Sequence, residues 1–328
     1  MFVVYFYDPF GNSLTQFFDI FDLKIRKKLN DVSTASFSIE LKHNLSYEIL
    51  KEFNKVKIFK EDGEKLMFSW VIKQVSADFD KYNIVIFSDE YLLKRKLLNS
   101  AKSYTNTAIS DILADIFVWY NIQTDASKII SIDFDKNTKF FDILKKLSEF
   151  GYDFKIEDNT IIFKQLIWVD RTFGDNFLQL YANEKETNIA KYKTLYDADN
   201  LVNKAIVWDN VYEDTVSQNI YWVVEEYFTE WDESILEERK YSVREIEAIP
   251  IVQDWFAFDV WDLISVDVNL WNEILDFSGN LKIVEKSYEF KDLEKTEIKL
   301  SKWKAKTPTL LEKIKQLNDD VYNLKIKL

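Results

Sequence analysis

The stretch VKIFKEDGEKLMFSWVI, residues 56–72, predicts two β-strands joined by a tight turn. Apolar and charged side chains alternate from Val56 to Phe59, which is typical of a strand with one buried face. The acidic run Glu61–Glu64 contains a glycine and is a turn signal, and the apolar run Leu66–Ile72 follows as the second strand. This pattern favours an antiparallel β fold in the first part of the chain.

Other runs extend the same pattern towards both ends of the chain. In residues 1–98 the short strands and tight turns favour a small barrel or sandwich. Residues 171–306 are β-rich again, although 235–246 fit either a helix or a long strand arm. The remaining strand predictions are Met1–Asp8, Phe37–Leu41, Tyr82–Ser88, Leu201–Trp208, Ile220–Val224, Val260–Val266, Leu281–Val284 and Thr296–Leu300.

Residues 99–170 predict two helices followed by a hairpin. Thr105 or Thr107 can cap the first helix, whose apolar residues recur at steps of three and four on one face. The second helix follows Asn137–Thr138 and ends at Gly151. These elements predict an α+β insert between two β-rich parts. The apolar residues of the two helices are Ile109, Ile112, Leu113, Ile116, Phe117 and Tyr120, and Phe140, Phe141, Leu144, Leu147 and Phe150.

Composition narrows the classes of function that the chain can have. The 328 residues are 47% hydrophobic and 16% aromatic, which is enough for two or three folded domains. Because there is no cysteine and only one histidine, His43, thiolate sites, disulfides and the usual zinc ligand sets are excluded. His43 follows a strand-like run and is predicted to lie in a surface loop. The residue inventory therefore predicts no enzyme, no cofactor and no metal.

The charge pattern argues against binding to nucleic acids or crossing a membrane. The formal net charge is −13, and the cations are dispersed among a larger number of anions. Tight binding to nucleic acids needs clustered lysine and arginine, so DNA could pass such a surface without being held. No uncharged apolar run approaches the length of a membrane helix, and the acidic start does not resemble a secretory signal. We therefore expect synthesis in a cytoplasm.

The C-terminal segment 307–328 predicts an amphipathic helix with a heptad pattern. Thr307 and Pro308 supply a cap and a proline at the first helical position. The seam is under three heptads, which is short for firm association. The pattern favours self-association or docking on a neighbour, and packing on the chain's own barrel is the alternative. The seam residues are Leu310, Ile314, Leu317, Val321, Leu324 and Leu328.

Acidic clusters and late tryptophans are the other candidates for functional residues. The acids at 209–214 and 225–233 could include a catalytic carboxylate pair, but a solvated or channel-facing rim is the simpler interpretation. Asp78, Asp80 and Asp89 lack the ligand spacing of a calcium loop. Trp222 and Trp261 lie in strand-like runs, which favours the core. The candidates for partner-facing aromatics are Trp231, Trp255 and Trp271.

An ordered set of segments resembles phage baseplate hub proteins, the group that includes the hub of T-even myophages and the hub-like part of type VI secretion spikes. A polar turn leads into an alternating strand, a helix start opens a middle domain, and a helix with a hairpin completes it. A late strand before the tail also fits. The segments are Leu29–Leu41, Tyr91–Leu97, Thr107–Leu113, Phe140–Leu147, Gly151–Ile161 and Leu281–Tyr288.

The resemblance implies a β-rich α+β fold with two barrel-like tube domains flanking an α+β insert. The expected boundaries are 1–98 and 171–306 for the tube domains, 99–170 for the insert and 307–328 for the C-terminal coiled-coil-like helix. It further implies a homotrimer in the virion baseplate that adapts a sixfold tail tube, with distal tail proteins, to a threefold spike or tip. DNA would pass through its lumen. The alternatives are a receptor- or sugar-binding tail protein that uses the late tryptophans, and a tail-associated hydrolase.

Overall fold

β-Strands make up most of the described chain, as the alternating runs predict. The computed structural model describes residues 2–18, 20–43, 45–60, 65–157, 159–165, 169–174, 177–197, 201–207, 210–228, 243–251, 258–271, 276–290 and 294–301. The predicted C-terminal helix, the turn 61–64 and most of the ambiguous arm 235–246 lie outside these residues.

The N-terminal elements confirm the hairpin on either side of the 61–64 turn, because the two strands pair antiparallel. The short helix α2 is the last N-terminal element and precedes the middle segment. The elements are β1 (Phe2–Tyr7), β2 (Ser13–Phe17), β3 (Phe21–Lys28), β4 (Thr34–Glu40), a 3₁₀-helix (Leu41–His43), α1 (Tyr47–Leu50), β5 (Lys55–Lys60), β6 (Lys65–Ala77), β7 (Lys81–Phe87) and α2 (Glu90–Leu93).

The middle segment contains both predicted helices and the predicted hairpin, which turns at Asn159 with a positive φ. The first helix begins after Ala108 with no side-chain cap, because Thr105 and Thr107 belong to the preceding strand, so the cap prediction was wrong. The elements are β8 (Lys102–Ala108), α3 (Ile109–Ile116), β9 (Asn121–Thr124), β10 (Ile129–Phe134), α4 (Phe140–Ser148), β11 (Asp153–Glu157) and β12 (Thr160–Lys164).

The C-terminal elements are mostly strands, but the strand predicted at 220–224 is wrong. A helix ends at Tyr221, and Asp214 caps it by accepting a hydrogen bond from the Ser217 backbone at 2.8 Å. This cap outweighs the strand preference of the apolar run. The elements are β13 (Gln179–Ala182), β14 (Ile189–Asp197), β15 (Lys204–Val207), β16 (Asn210–Glu213), α5 (Thr215–Tyr221), β17 (Glu225–Phe228), β18 (Val243–Pro250), β19 (Leu263–Val268), β20 (Phe277–Phe290) and β21 (Glu294–Ser301).

One thirteen-stranded sheet runs through the N-terminal and C-terminal parts. Its order is β14-β18-β21-β20-β3-β4-β7-β6-β5-β1-β2, and β19 and β13 pair beside the first half of β20. Among the described strands, no pairing joins β14 to β2, so this sheet does not close into a barrel. The expectation of a strand-rich fold is confirmed. The two parts are joined by one sheet instead of forming two separate closed barrels.

The main sheet contains the same five-strand unit twice. In repeat 1, residues 21–87, the order is β3-β4-β7-β6-β5, and in repeat 2, residues 189–301, it is β14-β18-β21-β20-β19. All neighbouring strands within both units are antiparallel. Repeat 2 carries an additional small sheet, β16-β15-β17, between its first and second strands. The α+β segment follows repeat 1.

The pairing register of the two repeats also matches. The hairpins β6–β7 and β20–β21 each contain a β-bulge, directly after Ile72 in one and after Ile283 in the other. When Ile72 is aligned with Ile283, every residue pair between β6 and β7 has a counterpart between β20 and β21. Identical residues occur at only five matched positions of the five strands, namely Lys24/Lys193, Ile72/Ile283, Ser76/Ser287, Lys81/Lys295 and Ile84/Ile298.

The two repeats also share an unusual turn just before their third strand in chain order, β5 in repeat 1 and β19 in repeat 2. Phe53 and Trp261 have φ values of 69° and 88°, a region that bulky residues rarely adopt. Each donates its backbone N–H to the residue before the bulge, Phe53 to Ile72 and Trp261 to Ile283, at 2.9 Å in both cases. The turn therefore belongs to the repeated unit, and Trp261 lies at this turn instead of inside a strand.

Three apolar clusters form the core of the described residues, one centred on each repeat and one on the α+β segment. The repeats fill equivalent space with different residues. Ala35 and Phe37 of β4 are matched by Ile246 and Ala248 of β18, and all four are buried. Exchanging a small and a large side chain between neighbouring positions preserves volume, and it hides the repeat in the sequence.

Candidate assembly surface

The two repeats meet where the second half of β20 pairs with β3. The first half of this fourteen-residue strand pairs with β19, and the second half pairs along the same edge with β3, from Glu285 opposite Lys28 to Phe290 opposite Leu23. We call this pairing the β20–β3 joint. Because β20 belongs to repeat 2 and β3 to repeat 1, the joint makes one continuous surface from the two repeats.

Ion pairs cross the joint on its solvent-facing side. Arg26 donates two hydrogen bonds to Glu285, from Nε at 2.6 Å and Nη2 at 3.0 Å, in a bidentate arrangement. Lys24 lies 2.7 Å from Glu289, and this hydrogen-bonded contact raises the pKa of the Lys24 ammonium. These pairs fix which residues of the two strands lie opposite each other.

The same face carries paired charges across repeat 2. Glu247 of β18 lies between Lys193 of β14, at 3.6 Å, and Lys299 of β21, at 3.0 Å. The hydrogen bond from Lys299 lowers the pKa of the Glu247 carboxyl. The ion pairs of the joint and those of repeat 2 lie on the same side of the main sheet, and we call this side the paired-charge face. The cations Lys24, Arg26, Lys193 and Lys299 each lie beside a carboxylate or belong to such a network.

On the opposite side, the joint is buried. Tyr288 and Phe290 pack edge-on against Phe2, with ring centroids 6.4 and 5.0 Å apart. Tyr288 therefore belongs to the core of repeat 1 although it lies in a strand of repeat 2. Beside it, the buried Lys286 donates to the Phe258 carbonyl at 2.5 Å and lies over the Phe258 ring. The aromatic contacts thus attach β20 to the N-terminal core, whereas the Lys286 contact lies within repeat 2.

A polar contact connects the α+β segment to both repeats. Asp153 of β11 is almost fully buried, and it accepts hydrogen bonds from Asn30 at 3.1 Å and from the Lys282 ammonium at 2.5 Å. The other end of the Asn30 amide accepts from the Phe154 backbone at 2.7 Å. Asn30 follows β3 of repeat 1 and Lys282 lies in β20, so one carboxylate joins three parts of the chain. We call it the three-part contact.

Glu90 forms a second buried link between repeat 1 and the α+β segment. Its carboxylate accepts a hydrogen bond from the Ile156 backbone at 2.8 Å. Burial raises the pKa of the Glu90 carboxyl to about 7, although hydrogen bonds partly oppose this shift. A carboxyl that titrates near neutral pH at a contact between two parts makes their association sensitive to pH.

Two strand edges of the repeats have no strand partner among the described residues. Of the strands that the structure describes, β18 alone pairs with β14. On the edge of β6 that faces β5, pairing stops at Ile72, so residues 73–77 lie beyond it. An open edge is a template for another strand. These two segments are therefore candidates for contacts with another chain.

Some large aromatic side chains are exposed. Trp271 is 77% exposed and stays a candidate for a partner-facing residue, whereas Trp231 and Trp255 lie outside the described residues. Trp222, which the sequence placed in the core, is 85% exposed after α5, so that prediction was wrong. Phe79, in the turn after β6, is fully exposed and was not singled out from the sequence, because an isolated aromatic among acids carries no periodic signal.

The described members of the acidic clusters have structural partners. Asp214 caps α5, and Glu225 lies 2.8 Å from Lys204. Residues 208–209 and 229–242 lie outside the described part. Within the described residues, no group of three or more His, Asp or Glu side chains could hold a metal ion. His43 lies in the 3₁₀-helix with its ring 5.3 Å from that of Phe17, so it is less exposed than the predicted loop position.

None of the helices that the structure describes is long and apolar enough to span a bilayer. The seam residues Leu310, Ile314, Leu317, Val321, Leu324 and Leu328 lie outside the described residues, so their role as an oligomer interface stays a prediction.

The described residues form a β-rich fold with a duplicated five-strand unit and an α+β segment between the two repeats. No protein-family model and no curated protein matches the sequence. Solved structures do match the fold. The prophage tail protein gp18 from Listeria monocytogenes is 14% identical, with a TM-score of 0.64, over 97% of this chain and 98% of that chain.

Two further structures extend this comparison. The 43 kDa tail protein of prophage MuSo2 from Shewanella oneidensis is 10% identical, with a TM-score of 0.63, over 91% of this chain and 97% of that one. A type VI secretion component of E. coli, described as similar to the T4 bacteriophage tail proteins gp27 and gp5, is 10% identical with a TM-score of 0.52, over 86% and 73% of the two chains. The expected resemblance to tail proteins is thus confirmed for the fold, and the hub assignment stays a prediction.

Proposed function

We propose that this protein is a structural subunit of a phage-type tail, a trimeric baseplate hub that adapts the tail tube to a central spike or tip. The duplicated five-strand unit supports this proposal most directly. Three chains with two matching units each would present six similar sheet segments, which fit a sixfold tube on one side. The same three chains keep true threefold symmetry, which fits a spike on the other. The coverage of tail-protein structures along nearly the whole chain is consistent with this role.

In this proposal repeat 1 and repeat 2 belong to the two tube domains, with boundaries near 1–98 and 171–306. Residues 99–170 form the insert, and 307–328 a helix that contacts a neighbour. The sheets of the two tube domains need not close within one chain, because a ring of three chains supplies the missing neighbours. The partners are tail tube and distal tail proteins, a spike or tip protein, and two further copies. We propose no catalytic residue and no cofactor.

The paired-charge face is suited to line a channel through which DNA moves. Strong binding to DNA requires cations that are free to neutralise phosphates. On this face Lys24, Arg26, Lys193 and Lys299 lie beside carboxylates, at 2.6–3.6 Å. A phosphate would have to displace these partners, and the net charge of −13 would repel it. We therefore expect DNA to pass without being held.

The oligomeric state provides the primary test. The purified chain, alone and mixed with the tail tube and spike proteins encoded with it, is measured by sedimentation and mass photometry. We expect a trimer, or a trimer that forms when a neighbour is added, and a ring in negative-stain images. A chain that stays monomeric with both neighbours at micromolar concentrations would contradict the proposal. A glycan array tests the alternative sugar-binding role, with Trp271→Ala as the variant.

A deletion tests the predicted C-terminal helix. Removing residues 307–328 should weaken trimer formation severalfold if the heptad seam lies between copies, because an apolar seam is buried there. The measurement is the concentration at which half the chains are trimeric, with Leu317→Asp as a point variant that keeps the chain length. If both variants assemble like the full chain, the helix does not mediate contact between copies.

A further inference from the structure

We infer that neighbouring copies join by repeating, between chains, the strand pairing that joins the two repeats within one chain. In this arrangement β14 of one copy pairs antiparallel with the end of β6 of the next. The inference rests on the proposed ring and specifies its interface. The pairing registers of the two repeats determine which residues of the two copies lie opposite each other.

The equivalence of the strand edges carries the first step. β14 occupies in repeat 2 the position that β3 occupies in repeat 1, since both are the outer neighbour of the second strand of the unit. β6 and β20 are likewise equivalent. Within the chain, the end of β20 pairs with β3 at the joint. The equivalent edges, on β14 and the end of β6, have no strand partner among the described residues.

The matched registers then predict which residues lie opposite each other. In the joint, Glu285 is opposite Lys28 and Ser287 is opposite Arg26. Carrying these pairs through the repeat alignment gives new pairs between chains. The predicted pairs are Gln74 with Asp197, Val75 with Tyr196, Ser76 with Leu195 and Ala77 with Thr194.

Charge complementarity supports this register. The next predicted pair brings Asp78 of one copy opposite Lys193 of the other. Within the chain the equivalent residues are Glu289 and Lys24, which form an ion pair at 2.7 Å. An acid and a lysine thus recur at equivalent positions, although most other matched positions differ. A shift of the register by two residues towards Leu195 would remove this opposite-charge pair, and a shift by one residue would place Asp78 opposite an uncharged side chain.

The exposure of Phe79 fits the same arrangement. Phe79 is equivalent to Phe290, whose ring packs on Phe2 at the joint at a centroid distance of 5.0 Å. Within one copy Phe79 is fully exposed. Contact between copies would place it at the side of repeat 2 that adjoins β14, and an exposed ring of this size would lose contact with water there.

Disulfide trapping tests the interface sharply, because the chain contains no cysteine. The double variant Ser76→Cys/Leu195→Cys places one cysteine on each predicted strand. Mild oxidation of the assembled protein should link three copies into a closed ring, seen as dimers and trimers on non-reducing gels. When the two single variants are mixed before assembly, only dimers should form, and neither single variant alone should be linked.

A matched control uses the same strand. Ser76→Cys/Lys191→Cys moves the second cysteine four residues along β14 on the same face, roughly 13 Å away, and should give at least tenfold less linked product. Linking of Ser76→Cys to itself would indicate a twofold contact and overturn the inference. A ring that forms but is linked no better by Leu195→Cys than by Lys191→Cys would also overturn it, while the proposed hub would stand.

A charge reversal gives a readout that does not depend on oxidation. Asp78→Lys should weaken assembly severalfold, because it places two cations opposite each other, and the effect should diminish at high salt. Asp80→Lys reverses a neighbouring acid in the same turn and should have a smaller effect. Equal effects of the two variants would contradict the predicted pair. A chain that remains monomeric in every variant and with its neighbours would reject both the interface and the proposed hub.

Discussion

Asp153→Ala is expected to reduce the free energy of unfolding by about 3–5 kcal/mol. The substitution removes the only carboxylate of the three-part contact and leaves the Lys282 ammonium, which is largely shielded from water, without its 2.5 Å partner. It also removes the acceptor for the Asn30 amide. Removing one member of a buried charge pair is costly because the remaining charge stays desolvated. Urea unfolding followed by tryptophan fluorescence measures the loss.

Two variants control this experiment. Asp153→Asn keeps the shape and one acceptor oxygen, so we expect a loss smaller than that of the alanine variant. Glu157→Ala removes a carboxylate of the same strand that is exposed and pairs with Lys155 at 2.9 Å. Exposed ion pairs contribute at most about 1 kcal/mol. If Asp153→Ala costs no more than Glu157→Ala, the three-part contact does not hold the three parts together.

Glu90→Gln is expected to make the protein more stable above pH 7 and to remove part of its pH dependence. The folded-state pKa of Glu90 is about 7, above the value of 4.5 for a free carboxyl. The folded protein therefore binds more protons than the unfolded chain between these two values. The contribution of Glu90 to the free energy of unfolding therefore falls as the pH rises from 4.5 to about 7. Above pH 7 this contribution is roughly 3 kcal/mol lower than below pH 4.5.

The comparison is made at pH 5.5 and pH 8. Between pH 5.5 and pH 8 the free energy of unfolding should fall in the wild type by about 2 kcal/mol more than it falls in Glu90→Gln. Glu157→Gln, which neutralises an exposed carboxylate nearby, should follow the wild type. Parallel pH profiles for the wild type and Glu90→Gln would mean that the Glu90 carboxyl is not perturbed in the folded protein. Hydrogen exchange at the Ile156 amide would locate the change.

The sequence predicted local structure where one periodic signal dominated. The helices α3 and α4 were found because their apolar residues recur at helical spacing, and the hairpin around 61–64 because charged and apolar residues alternate. The run 220–224 misled because its apolar side chains resemble a strand, whereas the Asp214 cap determines the helix. At this position the apolar pattern predicts a strand and the Asp214 cap favours a helix, and the folded chain forms the helix.

The sheet order and the assembly surface could not be derived from the sequence. The repeat is hidden because Ala35 and Phe37 exchange sizes with Ile246 and Ala248, and because Val75 of β6 is matched by the buried Lys286. The joint pairs residues more than 250 positions apart, which no local pattern encodes. The tail-protein resemblance supplied the general architecture, and the strand registers supplied the specific edges and residues.

The β20–β3 joint has a consequence for how the chain folds during synthesis. β3 emerges early, but its partner β20 is made about 260 residues later, which takes roughly 10–50 s at ordinary rates of translation. During this interval the core of repeat 1 lacks Tyr288, and the edge of β3 remains open. Another nascent chain that has completed its own β20 could occupy that edge. The N-terminal repeat is therefore exposed to pairing with neighbouring nascent chains until its own β20 has been made.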